Sequence, residues 1–536
     1  MTSATQDNDQ RRKKLLTQLA AILQVDGGLE EERAGAPSGA QETTPSDLSP
    51  TAELRELGLL ATDDSGPAPR IEQLANGPGG LPAMPGHPIL RVADVRRDEF
   101  VPAVPGEFSA LRLAEAEVES LILKFMLHRQ SPTGRELTQQ VGIPFGICEK
   151  LLHTLKSDRL VVLKAAASLG DYVYELTEFG IQRARKFAEH CGYFGAAPVC
   201  LEDYAASVAA QSLQNGHPQI DDLRRAFADM TLSEATFERL GRAIISGKGL
   251  FLHGPPGNGK TSIAQRVTRA YGESIWIPRA ISVWGEIIRV FDPSCHVELP
   301  LGQGAGSREQ GAGSRDSDSL LPAPCSELYD RRWVRIRRPT IVVGSELLLD
   351  NLEITPNPAT GIAEAPLQLK SNCGTLVIDD FGRQQMAPAN LLNRWIVPLE
   401  KRYDFLNLTS GRKIRVPFDQ FIVFSTNLEP RELVDEAFLR RIPYKIDICG
   451  PTEEQFRALF GQLALVMGIE PGAPSGSPAV DYLIDRYYRQ TGRAMRFCHP
   501  RDLLRQVKVF YEVMEEPAQL SVEAIDAAAT DYFSVL

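Results

Sequence analysis

The chain has 536 residues, 43% of them apolar and 24% charged, with a formal net charge of −11. That make-up is of a globular protein with about three to four domains, and its acidic balance offers no bulk attraction to nucleic acid or anionic membranes. No apolar run reaches the ~18–20 residues that span a bilayer, and the eight cysteines (148, 191, 200, 295, 325, 373, 449 and 498) include no Cys-x-x-Cys pair, so we expect reduced thiols in a cytoplasmic protein with no membrane insertion.

Residues 1–107 predict a largely disordered arm, because Pro and Gly crowd stretches such as Gly77-Pro78-Gly79-Gly80-Leu81-Pro82. Periodic apolar patterning occurs there only at 11–24 and 53–60. Over 108–192 the pattern changes. Leu111, Val118, Leu121, Ile122 and Phe125 give one helix, 136–141 a second, and Pro144 opens a third through Ile147, Leu151, Leu152 and Leu155. Strands follow at 160–164 and 172–176, and Thr177 caps a closing helix. Three helices, a two-stranded wing and a last helix resemble a winged-helix domain. Such domains often bind DNA through the third helix, but eleven basic against ten acidic residues between 108 and 190 leave only +1. The third helix offers Lys150, His153 and Lys156 alone. A phosphate-binding face needs about six to ten contacts, so protein contact is the expectation, with DNA not favoured.

A linker is predicted at 193–218, polar near Gln211–Pro218, followed by helices at 220–230 and 234–245. The apolar strand Leu250–Leu252 then runs into Gly254-Pro255-Pro256-Gly257-Asn258-Gly259-Lys260-Thr261. This is the Gly-x-x-x-x-Gly-Lys-Thr phosphate loop, between a strand and a helix as its chemistry demands. Its glycines let successive N–H groups converge on one anion, and the helix N-terminus adds partial positive charge. Lys260 reaches the β- and γ-phosphates and the Thr261 hydroxyl can ligate Mg²⁺. ATP and Mg²⁺ are therefore the expected cofactors. Beyond the loop, 274–277 predicts a strand and 284–290 a helix. A Gln-Gly-Ala-Gly-Ser-Arg unit stands at 303–308 and again at 310–315, inside a low-complexity stretch at 302–319 that cannot build a core. Strands are expected around Val334 to Ile336, with Arg335 and Arg337 on the alternate face, and at 341–343.

Thr375-Leu376-Val377-Ile378-Asp379-Asp380 is a strand delivering two acids to the ligand edge of a parallel sheet. There Asp379 can hold Mg²⁺ through water and Asp380 can activate the attacking water. A second buried strand, 421–426, carries Asn427 to the same edge, where it can orient that water. Arg440 and Arg441 precede a strand at 444–448; from a neighbouring subunit such an arginine can stabilise the transferring phosphoryl group. The remainder, 451–536, predicts helices at 453–465, 479–488, 501–513 and 522–533, with Arg501 at a helix start where it can touch the nucleotide as the lid closes.

This ordered set resembles the AAA+ ATPases over about 215–536. It looks most like a bacterial group described as having chaperone activity associated with pilus assembly, through Asp379-Asp380-Phe381-Gly382-Arg383-Gln384 and Asn393-Arg394-Trp395-Ile396-Val397-Pro398-Leu399. The resemblance implies an α/β fold: a five-stranded parallel sheet with helices on both faces over 219–450, then a helical lid. It also implies ring homo-oligomers, usually hexamers, and a protein client remodelled at the expense of ATP. The family's usual second acid is glutamate, one methylene longer than Asp380. Lys260 and Asp379 lie 119 residues apart (379 − 260), about twice the family gap, which places an insertion at about 292–370. The alternatives are an ATP-switched DNA-binding factor acting through the winged helix, and a scaffold that binds ATP without hydrolysing it.

Overall fold

A computed structural model describes residues 100–167, 170–216, 218–300, 329–433, 436–470 and 478–534. The expected helices within 11–24 and 53–60 and the tandem repeat lie outside these residues. Residues 100–107, expected within the disordered arm, are instead packed. Phe100 sets its ring edge on Trp333 at 5.9 Å, and the Asp330 N–H donates to the Pro102 carbonyl at 3.0 Å.

Next come α1 (Glu115–His128), α2 (Gly134–Val141), α3 (Phe145–Ser157), the antiparallel strands β1 (Val161–Ala166) and β2 (Tyr172–Leu176), and α4 (Glu178–His190). Local chemistry fixes their ends. Thr133 accepts from the Glu136 N–H while Glu136 returns to the Thr133 N–H, a reciprocal cap on α2. Thr177 accepts from the Gly180 N–H at 3.0 Å and starts α4. The buried Asp171 carboxylate takes N–H bonds from Gly134 and Arg135, tying the start of β2 to α2. Val118, Leu121, Ile122, Leu137, Ile147, Leu151 and Leu152 meet in one core.

The stretch 193–218, expected as a linker, contains β3 (Val199–Cys200) and α5 (Leu201–Ala210). Only Tyr204 and Val208 are large buried apolar side chains on α5, too sparse a stripe to read as a helix. The Tyr204 hydroxyl, donating to the Leu369 carbonyl at 3.1 Å, anchors it.

After α6 (Ile220–Ala226) and α7 (Glu234–Ser246), β4 (Leu250–His253) leads into α8 (Lys260–Val267). Inserted strands follow: β5 (Ser274–Pro278), β6 (Ala280–Val283), β7 (Glu286–Arg289), β8 (Trp333–Arg337), β9 (Thr340–Val343), β10 (Thr355–Asn357) and β11 (Ile362–Glu364). The helix expected at 284–290 is a hairpin arm. Trp284 and Gly285 take φ of 51° and 84°, the two-residue turn that joins antiparallel strands, and β7 pairs with β6.

The chain continues through β12 (Thr375–Ile378), α9 (Pro388–Lys401), β13 (Tyr403–Asn407), β14 (Lys413–Pro417), β15 (Phe421–Ser425) and β16 (Tyr444–Asp447). The central sheet is all parallel, in the order β16-β4-β15-β12-β9. Its three middle strands are almost wholly buried, as strands covered on both faces must be. Helices α6, α7 and α8 cover one face; Leu391, Leu392 and Trp395 of α9 join Phe251, Phe381, Phe418 and Phe424 on the other. The α/β class expected from the sequence is the class observed.

Between α8 and β12, β10, β11, β7 and β6 form a second sheet whose edge strand is the earlier β3, in the order β10-β11-β7-β6-β3, and β5 pairs with β8 in a ribbon. The inserted material begins at Ser274, earlier than the insertion expected at 292–370, and only β9 within it joins the central sheet. The C-terminal body is α10 (Glu453–Val466), α11 (Pro478–Ile484) with a π turn at Asp485–Arg489, α12 (His499–Met514) and α13 (Val522–Phe533), around their own core of Phe456, Phe460, Leu483, Leu504 and Ile525.

Candidate nucleotide site

The C-terminal ends of β4, β12 and β15 lie side by side, so what each carries past its last residue converges. Past β4 the backbone turns at Gly254, Gly257 and Gly259 with φ of 125°, 82° and 79°. A Cβ at Gly254 would lie 2.7 Å from Asp447 Oδ1 and 2.8 Å from the Ile448 carbonyl, so the β16 side admits only glycine. Pro255 and Pro256 follow in the loop, exposed, and α8 begins at Lys260.

The Lys260 side chain is 7% exposed. Its ammonium donates to the carbonyls of Gly254 at 2.8 Å and Pro255 at 2.9 Å, and to Asn427 Oδ1 at 2.7 Å. Burial lowers its pKa, against the opposing pull of Asp379 and Asp380. Thr261 Oγ1 donates to Asp379 Oδ2 at 2.7 Å, joining the helix start to the end of β12. Asn427 closes the circuit, its Nδ2 donating to Asp380 Oδ1 at 3.1 Å. Lys260, Thr261, Asp379, Asp380 and Asn427 thus form one connected group drawn from three strand ends.

The backbone beneath is locked. Asp379 N–H donates to the Val343 carbonyl, Phe381 N–H to Ser425, and Thr426 N–H to Leu252. Asp380 takes a φ of 49°, a left-handed conformation that costs a non-glycine residue of order 1 kcal/mol. Gln384 supports this turn, its amide donating to the Asp379 and Asp380 carbonyls and accepting from the Gly382 N–H.

The helical body reaches over the loop. Asn258 Nδ2 donates to the Ile448 carbonyl and its Oδ1 accepts from the Phe497 N–H, while the Cys498 N–H donates to the Gly257 carbonyl at 2.9 Å. Arg496 lies with them, its Cδ 3.5 Å from where a Gly257 Cβ would stand, and its charge acts on Lys260. No motif flagged Arg496. Its neighbour in sequence, Arg501, sits in the first turn of α12, half exposed, with Nε donating to Asp502 at 3.3 Å. The two outer arginines also differ. Arg441 Nε donates to Glu400 of α9 at 2.7 Å and is largely covered, whereas Arg440, at the end of the short helix Glu436–Leu439, is exposed.

The donor set fits a nucleoside triphosphate with its divalent cation. A lysine ammonium and a helix N-terminus supply positive charge, and a hydroxyl and a carboxylate 2.7 Å apart supply hard oxygen ligands of the kind Mg²⁺ takes.

A family model described as a domain of unknown function, DUF8689, matches residues 452–531, the C-terminal helices. A comparison with curated protein sequences finds no match. Among solved structures, NtrX from Brucella abortus in complex with ADP is similar at a TM-score of 0.34 and 13% identity, over 58% of this chain and 57% of that one. The same protein in complex with ATP gives 0.33 and 12%, over 58% of each chain. The Thermotoga maritima RuvB Holliday junction branch migration motor gives 0.32 and 13%, over 59% of this chain and 74% of that one. The chain thus spans little more than half the length of the NtrX structures.

Proposed function

We propose that this chain binds and hydrolyses ATP with Mg²⁺ as an AAA+-type ring ATPase, and that it uses the turnover to remodel a protein partner. The observation that carries the ATPase reading is the connected group Thr261–Asp379 and Lys260–Asn427–Asp380 at the ends of three parallel strands. Thr261 and Asp379 would hold Mg²⁺, which when bound neutralises charge on the phosphate oxygens. Lys260 exchanges its loop carbonyls for β- and γ-phosphate oxygens. Asp380 accepts the proton of the attacking water, which Asn427 orients; the water oxygen bonds to the γ-phosphorus as the bridging bond to the β-phosphate breaks. Arg496 and Arg501 would follow the nucleotide from the helical body.

The exposed Arg440 is free to enter a neighbouring subunit's site, while Arg441 is engaged by Glu400 in its own. Assembly into rings, six-membered by resemblance, is therefore part of the reading. A protein partner rather than DNA is supported by the charge balance of residues 108–190, whose third helix exposes only Lys150, His153 and Lys156 as basic side chains.

Asp380→Asn keeps the carboxylate's shape without its basicity, and is expected to hold Mg-ATP and the partner without release. Captured from the source cell in Mg-ATP, it should bring down a protein whose recovery depends on nucleotide. Recovery of nuclease-sensitive DNA alone would contradict the protein reading, and wild-type turnover by Lys260→Ala would contradict the site.

A further inference from the structure

Away from the nucleotide site, two inserted hairpins meet. The Glu286 carboxylate of β7 accepts the backbone N–H groups of Thr409 at 3.0 Å and Ser410 at 3.1 Å, holding the tip of the β13–β14 hairpin against the β6–β7 hairpin. Those bonds hold the Glu286 carboxyl below the usual carboxylate range although burial opposes them. The junction is therefore built, and it displays an unusual set of side chains. Trp284, at the turn of one hairpin, is 64% exposed, whereas Trp276, Trp333 and Trp395 are at most 5% exposed. On the other hairpin, Phe405 stands directly across from Arg415, 49% exposed. The Arg412 guanidinium lies over Trp284 at 5.3 Å, and that of Arg415 over Tyr403 at 4.0 Å. Lys413 is exposed beside them. None of these three cations has a carboxylate partner among the described residues. A cleft of about 550 Å³ runs between the hairpins and the start of α1, bringing Trp284, Lys413 and Arg415 to one wall.

We infer that this twin-hairpin face is a docking site for an extended acidic polypeptide segment, and that it supplies the partner selection left open by the protein-remodelling reading on which it rests. Three cations with no carboxylate partner among the described residues, set beside exposed aromatic rings, match an anionic partner with apolar content. Lys413 and Arg415 are alternate residues of one strand, spaced about 7 Å apart, the spacing of alternate side chains on an extended peptide. A guanidinium stacked on a ring turns its N–H edge outward, where it can grip a carboxylate in two bonds. The same stacking occupies ring faces on which a nucleic-acid base would need to lie. The cleft also holds Glu117 and Glu202, whose charge opposes a continuous run of phosphates more than carboxylates placed at intervals beside the cations.

The test is fluorescence anisotropy on the full chain with a short labelled oligoglutamate peptide, its oligolysine counterpart, and labelled oligothymidylate. Oligoglutamate is expected to bind, with affinity falling as salt rises, and to perturb the emission of Trp284. The combined variant Arg412→Ala, Lys413→Ala, Arg415→Ala should weaken it by at least about 10-fold, as expected for loss of charge-assisted contacts. Lys413→Glu, at an exposed position, should weaken it in the same direction. Basal ATP turnover should be unchanged in both, because none of these residues touches the nucleotide group. Equal oligoglutamate affinity in wild type and variants, or none in wild type with turnover intact, overturns this site alone. Oligothymidylate binding lost in the same variants overturns both the site and the protein-partner reading.

Discussion

At Lys260 the competing forces are plain. Its ammonium is buried, which penalises the charge, and it remains worthwhile only because two carbonyls, Asn427 and two nearby carboxylates surround it. Lys260→Ala removes the cation that phosphate would engage, and Mg-ATP turnover is expected to vanish in a steady-state phosphate-release assay. Asn427→Ala removes one positioned donor from the group proposed to orient the attacking water; a loss of about 10²-fold in kcat with little change in nucleotide affinity is expected, on the scale of deleting a single preorganised hydrogen bond. The arginines separate in the same way. Arg440→Ala should lower turnover by about 10³-fold or more while leaving nucleotide binding intact. Arg441→Ala should instead cost of order 1 kcal/mol of stability through Glu400, read as a small drop in melting temperature. Every member of the connected group was legible in the sequence, because the phosphate loop has a fixed internal pattern and the acids and Asn427 each end a short apolar strand. Arg496 was not: it approaches Gly257 only through the tertiary placement of the helical body, and nothing local marks it.

At the scale of elements, the central strands were readable because burial on both faces writes near-continuous apolar runs. The segment 284–290 was misread for a physical reason. Trp284, Ile287 and Ile288 have helical spacing, yet Trp284-Gly285 adopts the left-handed pair that a two-residue turn requires, and pairing with β6 and β11 completes the choice. The helical body carries its own testable device. His499, 3% exposed, bonds through Nδ1 to the Tyr488 hydroxyl at 2.8 Å, and burial pushes its pKa down to about 4. The unfolded chain takes the proton near pH 6.5 and the folded one does not until about pH 4. Stability therefore falls as pH drops through that window and levels off below it, by roughly 3 kcal/mol in total. The urea midpoint followed from pH 7 to pH 4 should show the fall, and His499→Phe should flatten it.

At the scale of the molecule, the helical body, the phosphate loop and the strand ends act as one site, with Cys498 N–H on the Gly257 carbonyl as the direct link. Arg440 is exposed beside an Arg441 engaged by Glu400, and in the proposed ring it is the piece of the site that a neighbouring subunit would supply. The second sheet and paired hairpins give the chain a face away from the nucleotide group, which the Lys260–Asp379 gap announced in length but not in form. Form was hidden because β3, β6, β7, β10 and β11 are two to four residues each, and come together only through long-range pairing.

The most direct test is to mix two inactive variants. Lys260→Ala removes the proposed phosphate-binding lysine but keeps Arg440, and Arg440→Ala keeps its loop but lacks the arginine that the ring reading assigns to its neighbour's site. Each alone is predicted to be inactive in Mg-ATP turnover, and the mixture is predicted to regain activity as shared rings form. Wild-type turnover by either variant alone would contradict the account.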